Sequence, residues 1–234
     1  MIPMPSYRVR FTKEHSLRYL SHLELIRGIE RAIRRAGLPM AFSEGFHPHP
    51  KLSFGPALAV GISSAAEYFD MELVRDFPPA EIRERLNRAL PEGIKVLAVK
   101  KIVRRVKPLN AVINRASYAI LLRVDPRERP EIIAQLNKLP ASSTIEIIRK
   151  TKDGQKVVNI RPWLHNLTIG VKDDDLLELE FGGEIGSGGN LRPDDLLSVI
   201  SQPAEVLAIT RTGLWREENG LVMDPLDLCD QAGG

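Results

Sequence analysis

The chain has 234 residues, 43% of them hydrophobic and 27% charged, enough to build one large core or two small ones. No uninterrupted apolar run approaches the roughly 20 residues that a bilayer-spanning helix needs, which excludes a transmembrane segment of that kind. Thirty-three Lys and Arg against thirty Asp and Glu leave a formal net charge of +3, so any affinity for nucleic acid must come from where the charges sit and not from their sum.

The first residues show neither a basic stretch followed by an apolar one nor a small-residue cleavage site, and the cytoplasm is the expected location. The single cysteine, Cys229, rules out an intramolecular disulfide, a four-cysteine zinc site and an iron-sulfur cluster held by the chain's own thiolates.

Residues 7–12 alternate apolar and basic side chains, the pattern of a half-buried strand with one solvated face. Ser21 stands three residues before Glu24, a capping-box spacing, and Gly37 and Pro39 supply the stop, so a helix is expected over residues 21–36. Its apolar side reads as Leu23, Ile26, Ile29 and Ile33. Apolar segments at 52–60 and 67–74, with Gly61 and Ser63-Ser64 between, predict a strand pair. A helix after Pro78-Pro79 and a basic strand from 94 to 106 complete the order strand, helix, strand, strand, helix, strand.

The same order is expected again: strand 116–124, helix 130–138, strand 143–150, a turn at Asp153-Gly154, strand 155–160, an extra strand at 176–181, a helix from Pro193 to Ile200 and a closing strand at 206–214. The expected fold class is therefore α+β, with two tandem ferredoxin-like halves built on antiparallel sheets. The first occupies residues 1–107 and the second 108–215. A loosely ordered tail is expected over 216–234.

Three constellations could carry function. On the first helix Arg27, Arg31, Arg34 and Arg35 gather on one side with only Glu30 nearby, which fits either a solvated back or a phosphate-contacting ridge, arginine being suited to bidentate phosphate contacts. Residues 42–51 pack Gly45, Pro48, Pro50, Phe42, Phe46, His47, His49 and Lys51 into ten positions. Pro48 and Pro50 stiffen that backbone, so His49 and Lys51 are held for contact and Phe46 is placed to stack on a base; equally, the rings could plug the core.

The third constellation is the glycine-rich stretch 182–189, which ends at Arg192 and Pro193 before a helix start, where free amides attract anions; a flexible connection is the competing reading. Arg161 is a further candidate anion contact, with pairing to one of Asp173, Asp174 or Asp175 as the simpler expectation. His15, His22 and His49 are candidate acid-base groups. No metal site is expected, since His47 and His49 alone fall short of the roughly three or four ligands a stable site needs.

Four segments together resemble a known family: Tyr7-Arg-Val-Arg-Phe-Thr-Lys13, Leu17-Arg-Tyr-Leu-Ser-His-Leu23, the run from Phe42 through Gly45-Phe46-His47-Pro48-His49-Pro50-Lys51 to Phe54, and Asn159-Ile-Arg-Pro162. The chain looks like the radical SAM-linked protein family, a domain of unknown function fused to, or encoded beside, radical S-adenosylmethionine enzymes. His47 departs from the Asn expected at its position. The resemblance implies a radical SAM enzyme as partner, with S-adenosylmethionine and the iron-sulfur cluster bound there and no cofactor bound by this chain.

The leading expectation is a non-catalytic accessory module that binds RNA and presents it for modification, through Arg27, Arg31, Arg34, Arg35, Phe46, His49, Lys51, Arg161 and Arg192. A metal-independent endoribonuclease resembling the CRISPR repeat-processing nucleases is one alternative, with a histidine as general base. A protein-binding adaptor that touches no RNA is the other.

Overall fold

A computed structural model describes residues 4–104, 106–151 and 154–230. The protein is a mixed α+β structure with few helices and a mostly antiparallel sheet. The chain forms two compact units, one made of residues 1–113 and 213–234, the other of 114–212.

The first unit opens with β1 (Ser6–Lys13), followed by α1 (His22–Arg35), β2 (Leu52–Phe54), β3 (Ser63–Glu72), α2 (Pro79–Ala89), β4 (Val96–Ile102) and the single turn α3 (Leu109–Val112). Its strands lie in the order β4-β1-β3, with β2 on the end of β3. Gly55 and Pro56 stop β2 after three residues, so the strand expected to reach residue 60 is short, and the predicted Ser63-Ser64 turn is instead the start of β3.

The expected cap is present. Ser21 Oγ accepts from the Glu24 amide at 3.3 Å, and the Glu24 carboxylate accepts from the Ser21 amide at 2.8 Å. The helix stops where Gly37, at φ +66°, takes the left-handed turn that allows its amide to reach the Arg34 carbonyl.

Tyr7, Val9 and Phe11 from β1 are buried with Leu25, Ile29 and Ile33 of α1 and Ile82 and Leu86 of α2 in one core. Leu23, expected in this stripe, is 54% exposed, and Leu25 and Ala32 take the buried places. Full burial of each large aliphatic or aromatic side chain contributes about 1.5–3 kcal/mol.

The opposite face of β1 is not solvated as its alternation suggested. Arg8 is fully buried and bonds both oxygens of Asp70 on β3, at 2.7 and 2.8 Å, while its third contact is the Pro225 carbonyl at 2.8 Å. Residues 216–230, expected as a loose tail, supply that cover. They finish β10 (Ala204–Glu218), add β11 (Leu221–Met223) beside it and place a turn of 3₁₀ helix at Asp227–Cys229. Asp224 accepts from Arg10 at 3.2 Å and from Tyr68, and Asp230 pairs with Lys100 at 2.6 Å.

In the second unit, β5 (Arg115–Val124) pairs with β9 (Leu176–Glu184), which pairs with β8 (Leu164–Asp173). Ile120, Leu122, Leu177 and Leu179 are fully buried with Ile132 and Leu136 of α4 (Arg129–Lys138). The strands expected at 143–150 and 155–160 are β6 (Glu146–Thr151) and β7 (Gly154–Asn159), and they form a separate two-stranded sheet. The place beside β9 belongs to β8, a strand the sequence reading left out. The turn residue Asp153 lies outside the described residues. The helix α5 (Pro193–Leu197) ends before the expected Ile200, where the Ser198 hydroxyl bonds the Asp195 carbonyl at 2.7 Å.

Among the described residues no helix is long and apolar enough to cross a membrane. Burial pushes the Cys229 thiol up to about 11, so near about pH 8 it should resist a thiol reagent in the native protein and react at once after unfolding in urea. Replacing Asp70 with Ala leaves Arg8 buried without its counter-charge and should lower stability by about 3–5 kcal/mol in urea denaturation, with Cys229 becoming reactive at lower urea.

Candidate functional site

The loop 42–51 is pinned at its base and free at its tip. Bridges join Met40 to Leu73 and Phe42 to Pro50, and the Lys51 amide donates to the Ala41 carbonyl at 2.8 Å. Higher up, the Ser43 amide reaches the His49 carbonyl at 2.9 Å, and the His49 amide reaches Ser43 Oγ at 3.0 Å. Gly45 at φ +118° turns the chain between these pinches. The tip carries Phe46 wholly exposed and Phe42 46% exposed, with His47 and His49 also in solvent. The core-plug reading of the rings therefore fails for Phe46.

At the base of the loop Lys51 enters a cleft of about 1300 Å³ at the end of the sheet where β3 and β4 stop. Lys51, Arg75, Lys101, Arg104 and Lys107 line it against three carboxylates, Asp70, Glu72 and Asp76. Lys51 pairs with Glu72 at 2.8 Å, which holds its ammonium above the usual value. Lys101 pairs with Asp76 at 2.5 Å and, with the Tyr7 hydroxyl, holds that carboxyl low. Arg75 lies over the Phe77 ring at 4.9 Å. Among the described residues Arg104 and Lys107 form no ion pair, and both are exposed.

Of the residues expected at the site, Lys51 lines the cleft. Arg27, Arg31, Arg34 and Arg35 are exposed on α1, and none of them lines the cleft. Arg35 donates to the Ala89 carbonyl at 2.5 Å. The cations Lys101, Arg104 and Lys107 were the signal for the cleft, and their segment was read only as a basic strand.

The candidate histidines do not converge. His15 is exposed and held at φ +52°, His22 sits edge-on to Phe54 with ring centroids 5.8 Å apart, and His49 is on the loop. Among the described residues no group of three or more His, Cys, Asp and Glu could hold a metal ion.

In the second unit the anion-binding expectations meet structural roles. Arg161 donates to the carbonyls of Pro140, Ser142 and Leu164 at 2.7, 3.0 and 2.9 Å, and not to Asp173, Asp174 or Asp175. The Asn159 side chain accepts from the Ile145 and Arg161 amides, which makes Asn159 and Arg161 a brace of the turn. The glycine-rich stretch is packed: a Cβ on Gly189 would lie 2.3 Å from the Trp163 ring and one on Gly183 would lie 2.6 Å from Leu191. Arg192 is exposed, but its amide is capped by buried Asp195, which with Asp194 places negative charge where an anion would have to sit.

A family profile matches residues 6–193, a span that takes in all four of the motif segments. The chain belongs to this family, described as uncharacterized protein conserved in bacteria (DUF2344). That description names no radical enzyme. No curated protein matches the sequence. Among solved structures, a chain of a Cbf5-Nop10-Gar1 complex is similar in fold, with a TM-score of 0.51 and 13% identity over 96% of this chain. This family member spans about half of that chain, 54%. A chain of an H/ACA RNP bound to a substrate RNA containing 2'-deoxyuridine gives 0.48 at 14% identity, covering 96% of this chain and 52% of the other. An unknown protein from Galdieria sulphuraria gives 0.26 at 9%, covering 88% and 100%.

Arg161→Ala removes three charge-assisted bonds to carbonyls and should lower the stability of the second unit by about 2 kcal/mol, whereas Arg192→Ala should stay within about 0.5 kcal/mol of the parent in thermal melts.

Proposed function

We propose that the protein is a non-catalytic RNA-binding module in which the first unit's cleft tracks phosphates and Phe46 stacks on an unpaired base. The supporting observation is the cleft itself: five cations line it, Arg104 and Lys107 are exposed and form no direct ion pair among the described residues, Lys107 acting on Glu218 only at a distance, and the pinned loop that carries Phe46 ends at its wall. Clustered cations supply sequence-independent attraction to a phosphate chain, and base-aromatic stacking adds about 1–3 kcal/mol per base.

The strand order β4-β1-β3-β2 supports reading the first unit as ferredoxin-like, and a second such half with an inserted β6-β7 hairpin is part of the same proposal. So is the accessory role in the cytoplasm: the motif resemblance supplies a radical SAM enzyme as partner, and the radical chemistry is assigned to it because Cys229 is the chain's single thiol. The endoribonuclease alternative asks for a histidine beside the phosphate track, and none of the five lines the cleft.

The test is binding of a labelled oligo(U) RNA as a function of salt. Each phosphate contact contributes about −0.7 to the slope of log K against log salt for a single strand. Arg104→Glu with Lys107→Glu should weaken binding at least about tenfold and flatten the slope by about 1.4, while Phe46→Ala should weaken binding with the slope unchanged. Absence of salt-sensitive binding at low salt defeats the proposal.

A further inference from the structure

The exposed side of α1 carries a feature that the RNA reading leaves unused. Gly28 stands in the middle of the helix, where glycine costs about 1 kcal/mol relative to alanine. No turn asks for it, because it is not among the residues with positive φ. Close packing does not ask for it either: a Cβ built there would meet no heavy atom within 4 Å. What the missing side chain leaves open is a groove of about 400 Å³, a size within the roughly 300–1,000 Å³ of ligand-binding clefts.

The groove has an apolar floor and a charged rim. Leu17, Leu20, Leu25, Pro91 and Ile94 form the floor, and Arg27 and Arg31 stand beside it one helical turn apart. Leu23 and Tyr19, 54% and 60% exposed, lie in the same stretch of chain that leads into and opens α1. No aromatic side chain lines the groove, and its floor offers the apolar contact that an aliphatic side chain covers. The rim also includes Glu24, whose carboxylate is engaged by the Ser21 hydroxyl and amide in the helix cap, which holds it below its usual range.

We propose that this groove docks a protein partner through an apolar side chain flanked by Asp or Glu. The apolar anchor covers the floor that Gly28 leaves open, and the flanking carboxylates meet Arg27 and Arg31, which accept bidentate pairing. The inference is independent of the RNA reading, since the groove and the cleft share no lining residue. It gives the arginine ridge a role as a specificity element for an acidic surface.

The experiment is a random-peptide display selection on the full chain, followed by binding isotherms of the selected peptides. The expected result is enrichment of sequences that join an apolar anchor to Asp or Glu. Gly28→Met, which fills the groove at a partly exposed helix position, should then weaken binding at least about tenfold, and Arg27→Glu with Arg31→Glu should do the same while removing its salt dependence. Thermal melts and unchanged oligo(U) binding by both variants establish that they are folded. Failure to select any peptide, selection of peptides without acids, or equal binding by Gly28→Met overturns the proposal. Loss of oligo(U) binding on reversal of Arg27 and Arg31, with parental melting, overturns it in favour of RNA on α1.

Discussion

The buried pair of Arg8 and Asp70 is the constraint around which the first unit is arranged. Removing two ions from water opposes folding strongly, and the attraction between them offsets that only when the geometry is good and the remaining donors are satisfied. Here the guanidinium meets the carboxylate with two parallel bonds and gives a third to the Pro225 carbonyl. That arrangement ties the β1–β3 pair to a segment 217 residues beyond Arg8.

Charge distribution follows the same logic. A net charge of +3 says little, because cations around the cleft are committed to carboxylates: Lys100 to Asp230, Lys51 to Glu72, Lys101 to Asp76. Unlike the buried Arg8 pair, such exposed pairs contribute little to stability, a median of about 0–1 kcal/mol, but they fix where ammonium groups stand. Arg104 and Lys107, exposed and without such pairs among the described residues, are where a polyanion gains the most. On α1 the same reasoning separates Arg35, bonded to the Ala89 carbonyl, from Arg27 and Arg31 on the groove rim.

Local signals were legible in the sequence where local physics decides. The Ser21 and Glu24 spacing specifies its cap whatever surrounds it, and Pro78-Pro79 opens α2 for the same reason. Choices made by distant packing were not legible. Both Leu23 and Leu25 are apolar on α1, and only the sheet beneath determines which is buried. The strand β8 does alternate, with Leu167, Ile169 and Val171 between Asn166, Thr168, Gly170 and Lys172, so that signal was present and passed over; the strand lies at the edge of its sheet and is largely exposed. Arg161 looked like an anion contact because nothing in a sequence reveals that a guanidinium is already committed to three carbonyls. The acidic run Asp224, Asp227 and Asp230 read as a solvated tail because Arg10 and Lys100 precede it by more than 100 residues.

That last segment has a consequence for synthesis. The first unit is discontinuous: residues 114–212 are made between its two parts. Domains emerging from the ribosome usually fold in order from the N-terminus. Here the nascent chain has β1, β3 and β4 long before it has residues 213–230, so Arg8 and Asp70 wait without their Pro225 partner until that segment is made. A ribosome that stalls after residue 212 therefore leaves a product whose second unit is whole and whose first is not, which makes residues 213–230 a checkpoint for the integrity of the first unit.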